Sequence, residues 1–112
     1  MRLLSVFIRP ERLDAVTAAV DQLSVGGMTA ADVRGFGRQK GQVEHYRGGT
    51  YTIRFVPKVR VDVAVRADDV ERVLSAVGHA ARTGQVGDGK AFAFELRDMM
   101  RVRTGERGIG AL

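Results

Sequence analysis

The chain contains no cysteine. A disulfide framework and thiolate chemistry are therefore excluded, and so are the soft ligands of most structural zinc sites. Histidine is scarce as well. His45 and His79 lie far apart in the sequence, so a protein-only metal cage is not expected. No apolar run approaches the roughly 18 residues needed to span a bilayer, and residues 1–10 carry no signal-peptide h-region. The cytoplasm is the expected compartment. Aromatic residues make up only 6% of the chain, which leaves few side chains for stacking on bases.

What remains is the composition of one globular domain: 112 residues, 45% hydrophobic and 28% charged, with mass for a single core. The net charge of +5 points to an anionic partner, either nucleotide phosphates or nucleic acid. An arginine-rich solvated surface gives the same number, so charge alone does not choose.

Taken in order, residues 3–8 (LLSVFI) are short, apolar and rich in strand formers. Pro10 suits the first turn of a helix, and Leu13, Val16, Val20 and Leu23 recur at spacings of three and four on one face. Gly26 and Gly27 are expected to end that helix through a left-handed turn. Residues 28–36 read as a weaker strand. From Tyr51 the pattern alternates, with Tyr51, Ile53 and Phe55 on one face. Pro57 is expected to interrupt it, and Val59, Val61, Val63 and Val65 then resume period two. Asp68 with Glu71 forms a capping-box pattern for a second helix, whose buried stripe is Val70, Val73, Leu74, Val77 and Ala81. That helix is expected to stop near Thr83-Gly84. A glycine-rich loop over 84–89 leads to a strand at 91–96, and a basic tail covers 99–107. The order β-α-β-β-α-β predicts a ferredoxin-like α+β sandwich, built from two right-handed β-α-β units.

Residues 35–58 depart from this regularity. The stretch is glycine-rich, it carries Arg38, Lys40, Arg47, Arg54 and Lys58, and Glu44 is its only acid. A loop longer than about a dozen residues is uncommon in a compact domain unless it is functional or disordered. It is read here as a functional, projecting loop.

Single motifs settle little. Residues 84–90 (GQVGDGK) match G-x-x-x-x-G-K, but Ala91 stands where a magnesium-holding Ser or Thr belongs, and the loop runs from helix to strand, not strand to helix. Its glycines and Lys90 still suit an anion nest, or simply a helix-terminating turn. Residues 34–37 (RGFG) open like an RNA-recognition signature, which fails when Arg38 and Gln39 replace the following aromatic and apolar positions. A basic nucleic-acid-binding module on the same fold is the alternative reading. No nucleophile stands beside a base with motif support, so an enzyme is not expected.

Together these segments resemble the PII nitrogen-regulatory signal-transduction proteins. The carriers are 35–41 (GFGRQKG), 46–48 (YRG), Tyr51, 57–59 (PKV), 83–90 (TGQVGDGK) and 101–106 (RVRTGE), in order and at matching spacing over the whole chain. The resemblance implies a single domain, 1–112, assembled as a homotrimer. It implies a T-loop at about 37–55, a B-loop at about 82–90 and a C-terminal loop at about 101–112. ATP or ADP would sit between subunits on Gly87, Asp88, Gly89, Lys90, Arg101 and Arg103. Gly35, Arg38 and Gln39 would close the site, with Thr29, Asp62 and Ala64 near the adenine. A second ligand, 2-oxoglutarate, would meet Gln39, Lys40, Gly41, Lys58 and Gly87, with Mg2+ held by ligand oxygens and the Gln39 amide. Tyr51 would be the substrate of a nucleotidyltransferase, and Arg47 would dock on an ammonium transporter or a nitrogen-metabolism enzyme. A transporter partner would bring the protein to the membrane. Against the family pattern, Gly49 replaces a phosphorylatable Ser, Thr50 and Arg54 replace acids, Asp62 replaces Glu, and Phe7 replaces Ile.

Overall fold

The structure, a computed structural model, describes residues 1–37 and 54–112. Four strands and two helices follow the order β1 (Arg2–Ile8), α1 (Leu13–Asp21), β2 (Thr29–Gly35), β3 (Val56–Val65), α2 (Val70–Ala81) and β4 (Lys90–Glu95). The strands form one antiparallel sheet in the order β2-β3-β1-β4. Each helix thus bridges two parallel strands with a third between them, which is the ferredoxin-like arrangement expected from the element order.

Period two decides which way the sheet faces. Leu4, Val6 and Ile8 of β1 and Val59, Val61, Val63 and Val65 of β3 are buried. Against them pack Val16 and Val20 of α1 and Val73, Val77 and Ala81 of α2, with Leu13, Leu23, Val70 and Leu74 partly buried around the margin. Full burial of one such aliphatic side chain stabilises by about 1.5–3 kcal/mol. The layer of valines and leucines between sheet and helices is therefore the main source of stability. No helix among the described residues is long and apolar enough to cross a membrane.

Four local expectations are corrected. Helix α1 ends at Asp21, and the left-handed residue after it is Ser24 at φ 55°, not Gly26 or Gly27. Gly26 has a different use: a Cβ there would come within 3.2 Å of the Leu112 carbonyl carbon, so its smallness admits the C-terminus. Pro57 does not interrupt its strand. It pairs with Arg34 of β2, and pairing with β1 begins only at Val59, so β3 is an edge at that point and a proline costs no inner ladder bond. Asp68 does not cap α2. A 3-10 turn over Ala67–Asp69 runs straight into the helix, and the N-cap residue, Asp69, makes no side-chain cap bond. Its Oδ1 accepts from Arg72 Nη2 at 3.1 Å. The helix then stops at Ala81, with Arg82 extended, two residues before Thr83.

The alternation that begins at Tyr51 falls largely outside the described residues. Phe55 lies before β3, and its ring meets Phe36 edge-on at 5.1 Å. That pair closes the end of the β2–β3 ladder just beyond Gly35↔Val56.

Candidate functional site

The loop between α2 and β4 shows why its sequence is so glycine-rich. Gly84, Gly87 and Gly89 all have positive φ, at 89°, 101° and 112°, a region that side-chain-bearing residues enter only with strain. Gly89 is constrained further, because a Cβ there would lie 1.7 Å from the Phe7 carbonyl oxygen. The loop is thus pressed against the end of β1 where β4 begins to pair with it.

The carboxylate of Asp88 organises the turn. Its Oδ2 accepts from the backbone N–H groups of Thr83 and Gly84, both at 2.8 Å. Its Oδ1 accepts from the Thr83 hydroxyl and, at 2.9 Å, from Arg9 Nε. These donors, the Thr83 hydroxyl first and Arg9 second, hold the carboxyl well below the usual carboxylate range. Depression of the folded-state value means that the contact is fully present above the ordinary carboxylate value of 3.8 and is lost only as pH falls through the lower one. Slow exchange of the Thr83 and Gly84 amides should therefore persist at about pH 4 and collapse only in stronger acid. Loss of that protection already at about pH 4 would contradict the network.

Two carbonyls of the same loop are fastened from outside. Arg9 Nη2 donates to the Val86 carbonyl at 2.8 Å, and the Lys58 ammonium donates to the Gly87 carbonyl. In a trans peptide the carbonyl and the following N–H point in opposite directions. The N–H groups of Gly87 and Asp88 are consequently turned away from Arg9 and Lys58. Glycines at positive φ are the backbone that an anion-binding nest requires, and Lys90 follows directly in the sequence. Lys58 is partly buried, and that burial, followed by the nearby Arg9 charge, lowers its pKa.

The other expected site residues fall into two groups. Thr29 and Asp62 are directly paired across β2 and β3, and Ala64 follows two residues on, so the three share the sheet face that the helices leave uncovered. Asp62 Oδ2 lies 3.2 Å from Arg60 Nε. On this face Phe7 and Phe92 meet edge-on at 6.0 Å, and Phe92 stacks on Phe94 at 6.4 Å. A hollow of about 480 Å³ runs among Leu3, Ser5, Phe7, Asp62, Phe92 and Phe94. Phe92 and Phe94 remain 45% and 51% exposed, an unusual state for rings on a sheet.

Arg101 instead ties down the C-terminal segment: its Nη2 donates to the Leu112 carbonyl at 2.9 Å, and its N–H to the Glu106 carbonyl at 2.8 Å. Arg103 is exposed on the same segment. Gly35 ends β2 beside Lys58, whose Cγ lies 3.6 Å from where a Cβ would stand. Arg38, Gln39, Lys40, Gly41, Arg47 and Tyr51 lie outside the described residues. The structure thus brings Lys58, Gly87, Asp88, Gly89 and Lys90 together at one end of the sheet. Sequence reading missed Arg9, because a lone arginine after a strand has no periodicity or motif to mark it.

The whole chain has close counterparts. A family model described as nitrogen regulatory protein P-II matches residues 1–106. The nitrogen regulatory protein GlnK of Escherichia coli (strain K12) is 46% identical over 112 residues, the full length of both chains. A nitrogen regulatory protein P-II of Bradyrhizobium diazoefficiens is 41% identical over the same span. A crystal structure of Arabidopsis thaliana PII bound to citrate superposes with a TM-score of 0.80 at 38% identity, covering 99% of this chain and 91% of that one.

Proposed function

This chain belongs to the nitrogen regulatory protein P-II family of signal-transduction proteins, and we propose that it senses ATP or ADP together with 2-oxoglutarate and reports through its T-loop. It acts by binding, without catalysis. The observation that carries this reading is the 84–90 loop, where the Val86 and Gly87 carbonyls are drawn off by Arg9 and Lys58 and the following amides are left to an anion. Gly87, Asp88, Gly89 and Lys90 form the phosphate cradle. In this cradle Asp88 shapes the loop and does not itself face phosphate, since its oxygens already accept from Thr83, Gly84 and Arg9.

The remaining nucleotide contacts come from a neighbouring copy. The uncovered sheet face, with Leu3, Phe7, Phe92 and Phe94, is the surface through which three copies assemble. Thr29, Asp62 and Ala64 share that face, and Arg101 and Arg103 complete the cleft between subunits. Gly35, Arg38 and Gln39 close it from the T-loop base. A two-carboxylate ligand such as 2-oxoglutarate is held by Lys58, Lys40 and the backbone at Gly41 and Gly87. Magnesium is held by ligand oxygens and the Gln39 amide, the all-oxygen set that this ion prefers. The citrate-bound Arabidopsis relative supports a polycarboxylate ligand for this architecture.

Lys58 sits at the start of β3, where the chain returns from the T-loop, and it also reaches the 84–90 loop. A carboxylate that recruits this ammonium must compete with the Gly87 carbonyl. Ligand binding at that point is thereby linked to the root of the T-loop, and it shifts loop populations only as far as its affinity differs between loop states. Arg47 and Tyr51 at the tip meet the target, an ammonium transporter or a nitrogen-metabolism enzyme, with Tyr51 open to a nucleotidyltransferase.

Calorimetric titration of 2-oxoglutarate into the protein tests the reading, with ATP and Mg2+ present and then each omitted. Heat of binding is expected only with all components present. Saturable ATP binding with no 2-oxoglutarate response would reduce the protein to an adenylate sensor, and no binding of either would remove the sensor reading.

A further inference from the structure

Arg9 belongs to none of the ligand-contact sets proposed above, yet it holds the loop at two points. It follows the last residue of β1 and precedes Pro10, whose ring keeps Arg9 extended at φ -67° and ψ 140°. From there the side chain, 25% exposed, reaches 77 residues along the chain to Val86 and 79 to Asp88. One rigid planar fork supplies both bonds, Nε to the Asp88 carboxylate at 2.9 Å and Nη2 to the Val86 carbonyl at 2.8 Å.

The two contacts act on different parts of the loop. The Asp88 bond fixes the carboxylate that also gathers the Thr83 and Gly84 N–H groups, so it sets the width of the turn. The Val86 bond fixes the plane of the 86–87 peptide, and hence the direction of the Gly87 N–H. Without the guanidinium, Gly87 at φ 101° has no side chain to hinder rotation of that peptide.

We infer that Arg9 is the positioning residue of the 83–89 loop, acting on a bound nucleotide through Asp88 and the 86–87 peptide and not by touching it. This rests on the nucleotide reading above, and the test separates the two. Amide hydrogen exchange and calorimetric ATP titration with Mg2+ are compared for the wild-type protein, Arg9→Ala, Asp88→Asn, the double variant and Arg9→Lys.

In Arg9→Ala, exchange at Thr83 and Gly84 is expected to accelerate at least about tenfold, the loss of one charge-assisted bond, while Leu4 and Val61 in the core exchange as before. The ATP dissociation constant should rise at least about tenfold. The loss in the double variant should be smaller than the two single losses combined, because the Arg9–Asp88 bond is common to both, whereas the Val86 bond goes only with Arg9. Arg9→Lys can restore a charge but not the two-point fork, so it should fall between Arg9→Ala and wild type. Unchanged exchange at Thr83 and Gly84 would overturn the inference. Additive losses in the double variant would also overturn it, by making Arg9 a direct ligand contact, and full recovery in Arg9→Lys would reduce its role to charge. If the wild-type protein binds no ATP, the nucleotide reading fails, and the exchange data alone decide the role of Arg9.

Discussion

Gly89→Ala should abolish nucleotide binding and lower the melting temperature by roughly 10–20 °C, the shift expected for about 3 kcal/mol in a domain of this size. Two independent costs combine at this position. The backbone sits at φ 112°, where an L side chain is strained, and the new Cβ would fall 1.7 Å from the Phe7 carbonyl oxygen. That contact cannot be relieved by rotating a side chain, because its partner is backbone within the sheet. Either the loop lifts from β1 or the first pair of the β1–β4 ladder, Phe7↔Lys90, opens. Overpacking alone costs about 1–3 kcal/mol. Thermal melting and ATP titration check both effects. A variant with wild-type melting and affinity would show that the loop does not need this close approach.

On the assembly and nucleotide site proposed above, Phe92→Glu should leave monomers in place of trimers and reduce ATP affinity at least a hundredfold, while the monomer keeps its fold. Phe92 lies on the face opposite the helices, directly across from Ser5, with Phe7 at its edge and Phe94 stacked on it. Its ring is 45% exposed, so its loss leaves the valine layer between sheet and helices intact. In an assembled face the same ring would be buried, and an unpaired carboxylate there would be strongly destabilising. Light scattering gives the mass, circular dichroism the fold and calorimetry the affinity. A variant that stays trimeric would move the assembly surface elsewhere. One that becomes monomeric yet binds ATP as before would show that each site is built within one subunit.

The glycine-rich 84–90 segment illustrates how far residue patterns reach. Its G-x-x-x-x-G-K spacing suits an anion nest or a plain helix-terminating turn, and its place between helix and strand argues against a P-loop. Nothing in the pattern says that Asp88 turns inward. A carboxylate in such a pattern reads naturally as a ligand contact, and only the positions of Thr83, Gly84 and Arg9 show that its oxygens already accept from this chain. The misplaced helix ends have a similar origin. Gly26 and Asp68 are of residue types that favour a stop and a cap, but the close approach of Leu112 and a leading 3-10 turn decided what each does.

The order of elements, the face of each strand and helix that is buried, and membership of a regulatory family were all present in the sequence. Hydrophobic periodicity and ordered motifs are local properties, and each is complete within a few consecutive residues. The tertiary structure alone decided that Arg9, Lys58 and Asp88 converge on one loop, that Thr29 stands opposite Asp62, and that a row of phenylalanines is left uncovered. Those facts depend on strand register and on side chains meeting across 29 to 79 residues of chain, distances over which no sequence period carries information.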